Sequence, residues 1–372
     1  MVQSQGMAGL YVHIPFCSIK CYYCDFTAFA GQGRQTARYL ESLEVEARNA
    51  PRLEFKTLYI GGGTPSELQA PDLRGLFSRL KNGLGNWPVW EEATFEANPE
   101  SLSVEKIRIL RDNGITRVSL GLQTTDNDIL QRIGRKHTFE QFLEVFSNAR
   151  GAGFDVNVDL IFGLPGQSVL SLETSLQAVL DLEPEHLSVY GLQVEDRTLF
   201  NKRGVDPDED EGREMFELVL EKTARAGYRH YEISNFSKPG KQSKHNLLYW
   251  TGKEYVGLGC GAASFVGGER WSNEDRLKPY CDGILSGAGA KAEAERLAGK
   301  EACGERLLLG LRLPAGMALD REAEETFAGE WRELETQGLV ERRGPSVRLT
   351  REGLFLSNRV FQKFVAPFEV PA

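Results

Sequence analysis

The chain has 372 residues, 41% hydrophobic and 26% charged, the balance of a globular protein with room for one large domain and an appendage, or for two or three smaller ones. A formal net charge of −9 argues against nucleic acid as a partner. Met1 to Gly9 lack the basic and apolar regions of a secretory signal, and no apolar run reaches the length of a membrane span, so the expected location is the cytoplasm.

In chain order, a strand-like apolar run over 10–16 leads into Cys17, Cys21 and Cys24, spaced Cys-x3-Cys-x2-Cys. Three thiolates can hold three irons of a 4Fe-4S cluster and leave the fourth iron open for an outside ligand. Zinc is the rival reading, but a closed zinc site wants four ligands. The other cysteines, Cys260, Cys281 and Cys303, are distant and mutually isolated, and the loop holds no histidine. A triplet of this kind also suits a reducing compartment better than a disulfide framework does.

Helical spacing over 37–48 precedes a strand over 57–60, which runs into Gly61, Gly62, Gly63, Thr64 and Pro65. Such a run is either a tight turn or a place where backbone amides approach a ligand closely. Strands over 93–97 and 117–122 carry Glu96 and lead to Gln123; a helix over 139–152 follows, with Phe142, Val145, Phe146 and Ala149 on one face. Strands over 156–162 and 186–192 carry Asp159 and Gly191. Glu96 and Asp159 are carboxylates at or inside apolar strands, where an unpaired charge is costly to bury, so each needs a partner or lies at a solvated strand end.

Six βα units in tandem predict an incomplete (β/α)6, TIM-like barrel over 1–195. In such barrels chemistry gathers at the C-terminal ends of the strands, and each strand here hands one distinctive feature to that rim. Beyond it, 196–290 reads as a barrel extension with a helix over 214–226, and 288–300 as a linker helix. The last part, 291–372, reads as a winged-helix-like α+β domain, with Phe327, Trp331 and Leu334 at helical spacing, Gly338 as a stop and a turn over 342–345. Residues 320–337 hold seven acidic and two basic residues, which would repel phosphates, so docking is preferred to DNA binding.

The cysteine spacing resembles that of the radical S-adenosylmethionine (SAM) superfamily. The strings Glu96-Ala97-Asn98-Pro99 and Asp159-Leu160-Ile161-Phe162-Gly163-Leu164-Pro165-Gly166, with Gly121-Leu122-Gln123 and Arg135, resemble the oxygen-independent coproporphyrinogen III oxidase branch. The resemblance implies that SAM chelates the open iron and that the glycine run contacts its methionyl part. It implies that Tyr11, Gly62 and Glu96 contact this SAM, and that Tyr23, Gly63, Thr64, Gln123, Arg135, Asp159 and Gly191 line the place of a second SAM or its replacement.

Two features of the porphyrinogen-oxidising members are missing. Phe26 stands where they carry a further cysteine, and only sixteen residues precede Cys17. Instead the chain has His245-Asn246-Leu247-Leu248-Tyr249-Trp250. Residue chemistry allows an imidazole ligand beside aromatic surface, or a packed His with Tyr249 and Trp250 in the core. The string resembles that of the branch's haem chaperones, which makes His245 a haem-ligand candidate; many of those relatives have His where Ala263 stands. His13, beside the cysteine loop, and His137, in a candidate substrate-facing loop, show no ligand partner in the sequence, and His186 and His230 read as structural.

The resemblance implies a haem chaperone that binds a 4Fe-4S cluster, SAM and haem. Its partners would be apo-haemoproteins such as membrane respiratory enzymes, with a homodimer and peripheral membrane association as further expectations. Coproporphyrinogen III dehydrogenase, or a radical SAM enzyme acting on another substrate, are the alternatives.

Overall fold

The computed structural model describes residues 7–366. The first six positions of the N-terminal stretch and the last six of the C-terminal segment lie outside the described residues. The six predicted strands form as β1 (Ala8–Ile14), β2 (Phe55–Gly62), β3 (Glu92–Ala97), β4 (Arg117–Gln123), β5 (Asp155–Phe162) and β6 (His186–Gly191). They pair in parallel and in sequence order. Helices Thr36–Asn49, Ala70–Leu84, Val104–Asp112, Phe139–Gly151 and Val169–Asp181 link them. The result is the expected incomplete parallel barrel.

Alternation along the strands separates two environments. One set of side chains, including Leu10, Val12, Leu58, Phe95, Leu120, Val158 and Leu187, packs in the main apolar core together with helix residues such as Leu43, Leu76 and Phe142. The other set is polar: Tyr11, Tyr59, Glu96, Ser119, Asn157, Asp159, His186 and Ser188. Tyr11 bonds His13 on its own strand, and the others hydrogen-bond to one another across strands. A polar interior must satisfy its own donors and acceptors, and most of this one does so through ladders of side chains, Thr94 Oγ1 and Arg135 Nε being exceptions.

The sheet does not stop at six strands. Tyr255–Leu258 pairs in parallel with the free edge of β1, Leu10 opposite Val256, and the antiparallel strands Ala263–Val266, Glu269–Asn273 and Lys291–Glu295 extend that margin. Asn235–Ser237 and Arg229–Glu232 extend the other margin from β6. The linker helix expected over 288–300 is in part a strand. Lys-Ala-Glu-Ala-Glu over Lys291–Glu295 has good helix formers, but its alternation lets Lys291 and Glu295 pair with Glu269 and Arg270 on the neighbouring strand. The helix begins only at Gly299.

The C-terminal part has its own core of Leu307, Phe327, Trp331, Leu334, Val347 and Phe364. The helical stretch over 320–337 breaks at Phe327, φ −119°, into Arg321–Thr326 and Ala328–Thr336. Val340–Arg343 and Ser346–Leu349 form the expected hairpin, with Met317–Ala318 beside the second strand. Among the described residues no helix is long and apolar enough to cross a membrane.

Candidate functional site

A cavity of about 660 Å³ opens at the C-terminal ends of the barrel strands. It gathers Cys17, Cys21, Cys24, Tyr23, Gly62, Gly63, Thr64, Glu96, Gln123, Arg135, Asp159 and Gly191 from all six βα loops or strand ends. Tyr11 and His245 do not line it.

The thiols sit half-buried on the loop after β1. Cys17 Sγ lies 3.3 Å from Thr64 Oγ1, and Arg135 Nη1 donates to Cys21 Sγ at 3.7 Å. Burial pushes the Cys17 thiol up to about 11, against the Thr64 hydrogen bond, and raises that of Cys24. Among the described residues no three His, Cys, Asp or Glu side chains converge on a point where one ion would sit. A 4Fe-4S cube needs no such point, because each thiolate takes a different iron; the neighbouring Arg135 cation suits the negative charge that three thiolates bring. Three thiols on one loop with a cation beside them are a donor set that fits a cluster.

The glycine run is required by close packing. A Cβ on Gly63 would stand 3.0 Å from the Phe16 carbonyl oxygen and 3.1 Å from Cys17 Sγ; one on Gly61 would stand 2.8 Å from Glu96 Oε2. Gly62 has φ +118°, and its amide donates to Glu96 Oε2 at 3.1 Å. The run thus presses the end of β2 between the cysteine loop and the Glu96 carboxylate.

Glu96 also accepts from Tyr59 Oη at 2.6 Å. Burial pushes its carboxyl up from 4.5 to about 7; Asp159 adds to the shift, and Tyr59 and Gly62 oppose it. Asp159 accepts from Ser119 Oγ at 3.0 Å and Asn157 Nδ2 at 2.7 Å, and burial raises its carboxyl too. Both acids line the cavity, where a cationic ligand would hold them ionised.

The raised carboxyl gives a prediction for the ligand-free protein. Below 4.5 Glu96 is protonated in the folded and unfolded chain alike; between 4.5 and about 7 only the folded chain keeps the proton, so stability falls as pH rises through that window. Glu96→Gln is expected to be the more stable protein at pH ~8, by on the order of 2 kcal/mol, and to lose that advantage toward pH ~5. Urea melts at both pH values check this, and an advantage independent of pH would contradict it.

Gln123 ends β4 at φ 74°, left-handed backbone that a non-glycine residue adopts only under constraint, next to a register shift between Gly121 and Gln123. Arg135 Nη2 donates to Asn98 Oδ1 at 2.8 Å and to the Gly121 carbonyl, while its Nε is buried without a hydrogen-bond partner. An unused guanidinium donor on a cavity wall suits a carboxylate ligand. Tyr23 faces Arg135 and Cys21, and burial raises its hydroxyl. Gly191 packs beside the Phe162 ring, which a Cβ would meet at 3.0 Å.

Tyr11 donates to His13 Nδ1 at 2.9 Å and lines a different cavity. His245 lies on the short helix Lys244–Trp250, which plugs the barrel at the end opposite the cysteines. The Glu92 carboxylate, at the start of β3, accepts from the amides of Lys244 and His245, both at 3.0 Å. Both His245 nitrogens are engaged: Nδ1 with Thr57 Oγ1 and Nε2 with Tyr249 Oη, each at 2.7 Å. In this arrangement neither is available to iron, and burial depresses the imidazole to about 3.

Sequence reasoning missed Tyr59, Asn98, Asn157 and Ser188, which line the site and fix its acids. The signal was present: Thr94, Ser119, Asn157 and Ser188 recur at the parity of Glu96 and Asp159 within otherwise apolar strands.

The Radical SAM superfamily profile matches residues 11–179. A protein of Bacillus subtilis (strain 168) called Heme chaperone HemW is 38% identical over 377 residues, covering 96% of this chain and 99% of that protein. A protein of the same name from Lactococcus lactis is 37% identical, covering 98% of each. The solved structure of Escherichia coli coproporphyrinogen III oxidase (HemN), described as a radical SAM enzyme, superposes with a TM-score of 0.84 at 22% identity, covering 97% of this chain and 90% of that one. That level of identity speaks for the fold alone. The chain belongs to the HemW family of radical SAM proteins.

Proposed function

We propose that the protein is a cytoplasmic haem chaperone that holds a 4Fe-4S cluster and SAM in the barrel mouth and delivers haem to apo-haemoproteins such as membrane respiratory enzymes. The observation that carries this reading is the relationship, over essentially full length, to proteins called heme chaperones. Phe26, 70% exposed where the porphyrinogen-oxidising branch has a further cysteine, supports it. A homodimer and peripheral membrane contact belong to the same reading. Cys17, Cys21 and Cys24 would hold the cluster; when bound, cluster and SAM supply one-electron chemistry. The residues of this chain do the rest. Gly61 to Gly63 bring backbone up to the ligand, Glu96 and Asp159 compensate its positive charge, and Arg135 takes its carboxylate.

The HemN-like fold keeps coproporphyrinogen III dehydrogenase as the second reading. Anaerobic incubation with coproporphyrinogen III, reductant and SAM is expected to yield no protoporphyrinogen, whereas haem-loaded protein is expected to transfer haem to an apo-cytochrome. Product formation in the first assay with no transfer in the second would overturn the chaperone reading in favour of the enzyme.

A further inference from the structure

A second cavity, of about 1170 Å³, lies between the sheet margin Ala263–Val266 and Glu269–Asn273 and the helix Gly299–Leu311 of the C-terminal part. The cluster and SAM reading leaves it unused. It touches the first cavity at Phe26, which lines both.

Its walls differ in chemistry from the barrel mouth. On the barrel side stand Tyr249, Trp250, Tyr255 and Phe265; on the C-terminal side stand Leu309, Leu313 and Met317. The Tyr249 and Tyr255 rings meet edge to face with centroids 4.6 Å apart, and the Arg312 guanidinium lies 4.2 Å from the Trp250 ring, so the aromatic wall is fixed from behind. His245 adds to this by holding the Tyr249 hydroxyl from beneath. The volume exceeds the ~300–1,000 Å³ of common small-molecule pockets, so a nucleoside or amino acid would leave most of the apolar surface wet. A broad flat macrocycle would cover it.

The charges allow a carboxylate-bearing guest. Arg270 and Arg306 line the cavity, but each is paired with acids: Glu295 and Glu305 for the first, Asp320 and Glu322 for the second. Lys253, exposed at the rim, makes no ion pair among the described residues.

We propose that this cavity holds the haem, with the ring between the Tyr255–Phe265 wall and the Leu309–Met317 wall and the propionates turned toward Lys253. The inference rests on the haem-chaperone reading and adds to it a division of labour within His-Asn-x-x-Tyr-Trp. Tyr249 and Trp250 face the ligand, His245 positions Tyr249 from behind, and the C-terminal part supplies the second half of the site.

Two variants fill the cavity from opposite sides: Ala302→Trp on the C-terminal helix and Ala263→Trp on the sheet margin, both lining it. Haem is titrated into the full-length, cluster-reconstituted parent and into each variant. The parent should give a stoichiometric Soret shift, and each variant should bind at least tenfold more weakly while keeping cluster absorption and far-ultraviolet circular dichroism. Lys253→Glu, on the exposed rim, should weaken binding of haem but not of haem dimethyl ester, which has no free carboxylates. Parental affinity in both folded tryptophan variants would overturn the cavity assignment and leave the chaperone reading standing. A parent that binds no haem would defeat that reading, and the proposal with it.

Discussion

Alanine at Cys17, Cys21 or Cys24 is expected to remove the cluster outright. Two thiolates cannot hold a cube that already leaves one iron without a protein ligand, so iron and acid-labile sulfide after anaerobic reconstitution should fall at least ~10-fold, to background. The apoprotein should change little. The thiols lie on a half-buried loop outside the main apolar core, and each raised or hydrogen-bonded sulfur contributes modestly, so unfolding free energies should agree within about 1 kcal/mol. Alanine at Cys260, buried in the main core, is the control: it should keep the cluster. Full iron in a Cys21→Ala protein would refute the ligand set.

The second large effect falls at the other end of the barrel. His245→Ala leaves Thr57 Oγ1 and Tyr249 Oη without their partner and opens a hole against Gly9, whose position the imidazole closely abuts. The expected cost is about 3 kcal/mol, read as a lower urea midpoint. Thr57→Val, which keeps the shape and removes one partner, should cost about 1 kcal/mol. The pH dependence separates this from a generic core defect. The imidazole stays neutral in the folded chain down to about 3, while in the unfolded chain it takes a proton below about 6.5. The parent should therefore lose stability as pH falls through that window, and the gap to His245→Ala should narrow. A gap that stays constant between pH ~7 and pH ~4 would show that the imidazole is not held neutral by burial.

Much of the barrel could be read from the chain because each parallel strand is apolar on the helix-facing side and is followed by a helix with a regular apolar stripe, as in Leu120 and Leu122 before Phe142 and Phe146. The rim could be read because its residues have unusual chemistry for their surroundings: clustered thiols, a glycine run and carboxylates in apolar strands. Three things were less visible. Ordinary polar residues such as Ser119 and Asn157 gain meaning only when register places them across from Asp159. The strand Lys291–Glu295 exists because a neighbouring edge is there to receive it, a tertiary circumstance that overrides helix propensity. Sequence also names His245 without showing what its two ring nitrogens touch. Only the positions of Thr57 and Tyr249 reveal that.

The placement of β1 has a consequence for biosynthesis. This first strand is flanked on one side by β2 and on the other by Tyr255–Leu258, two-thirds of the way along the chain. A ribosome releases the strand that leads into the cysteine loop early, yet one of its edges stays without a hydrogen-bonding neighbour until that distant segment emerges. Nascent chains stalled before residue 255 should therefore bind holdase chaperones and resist iron loading, and those stalled well beyond residue 258 should not.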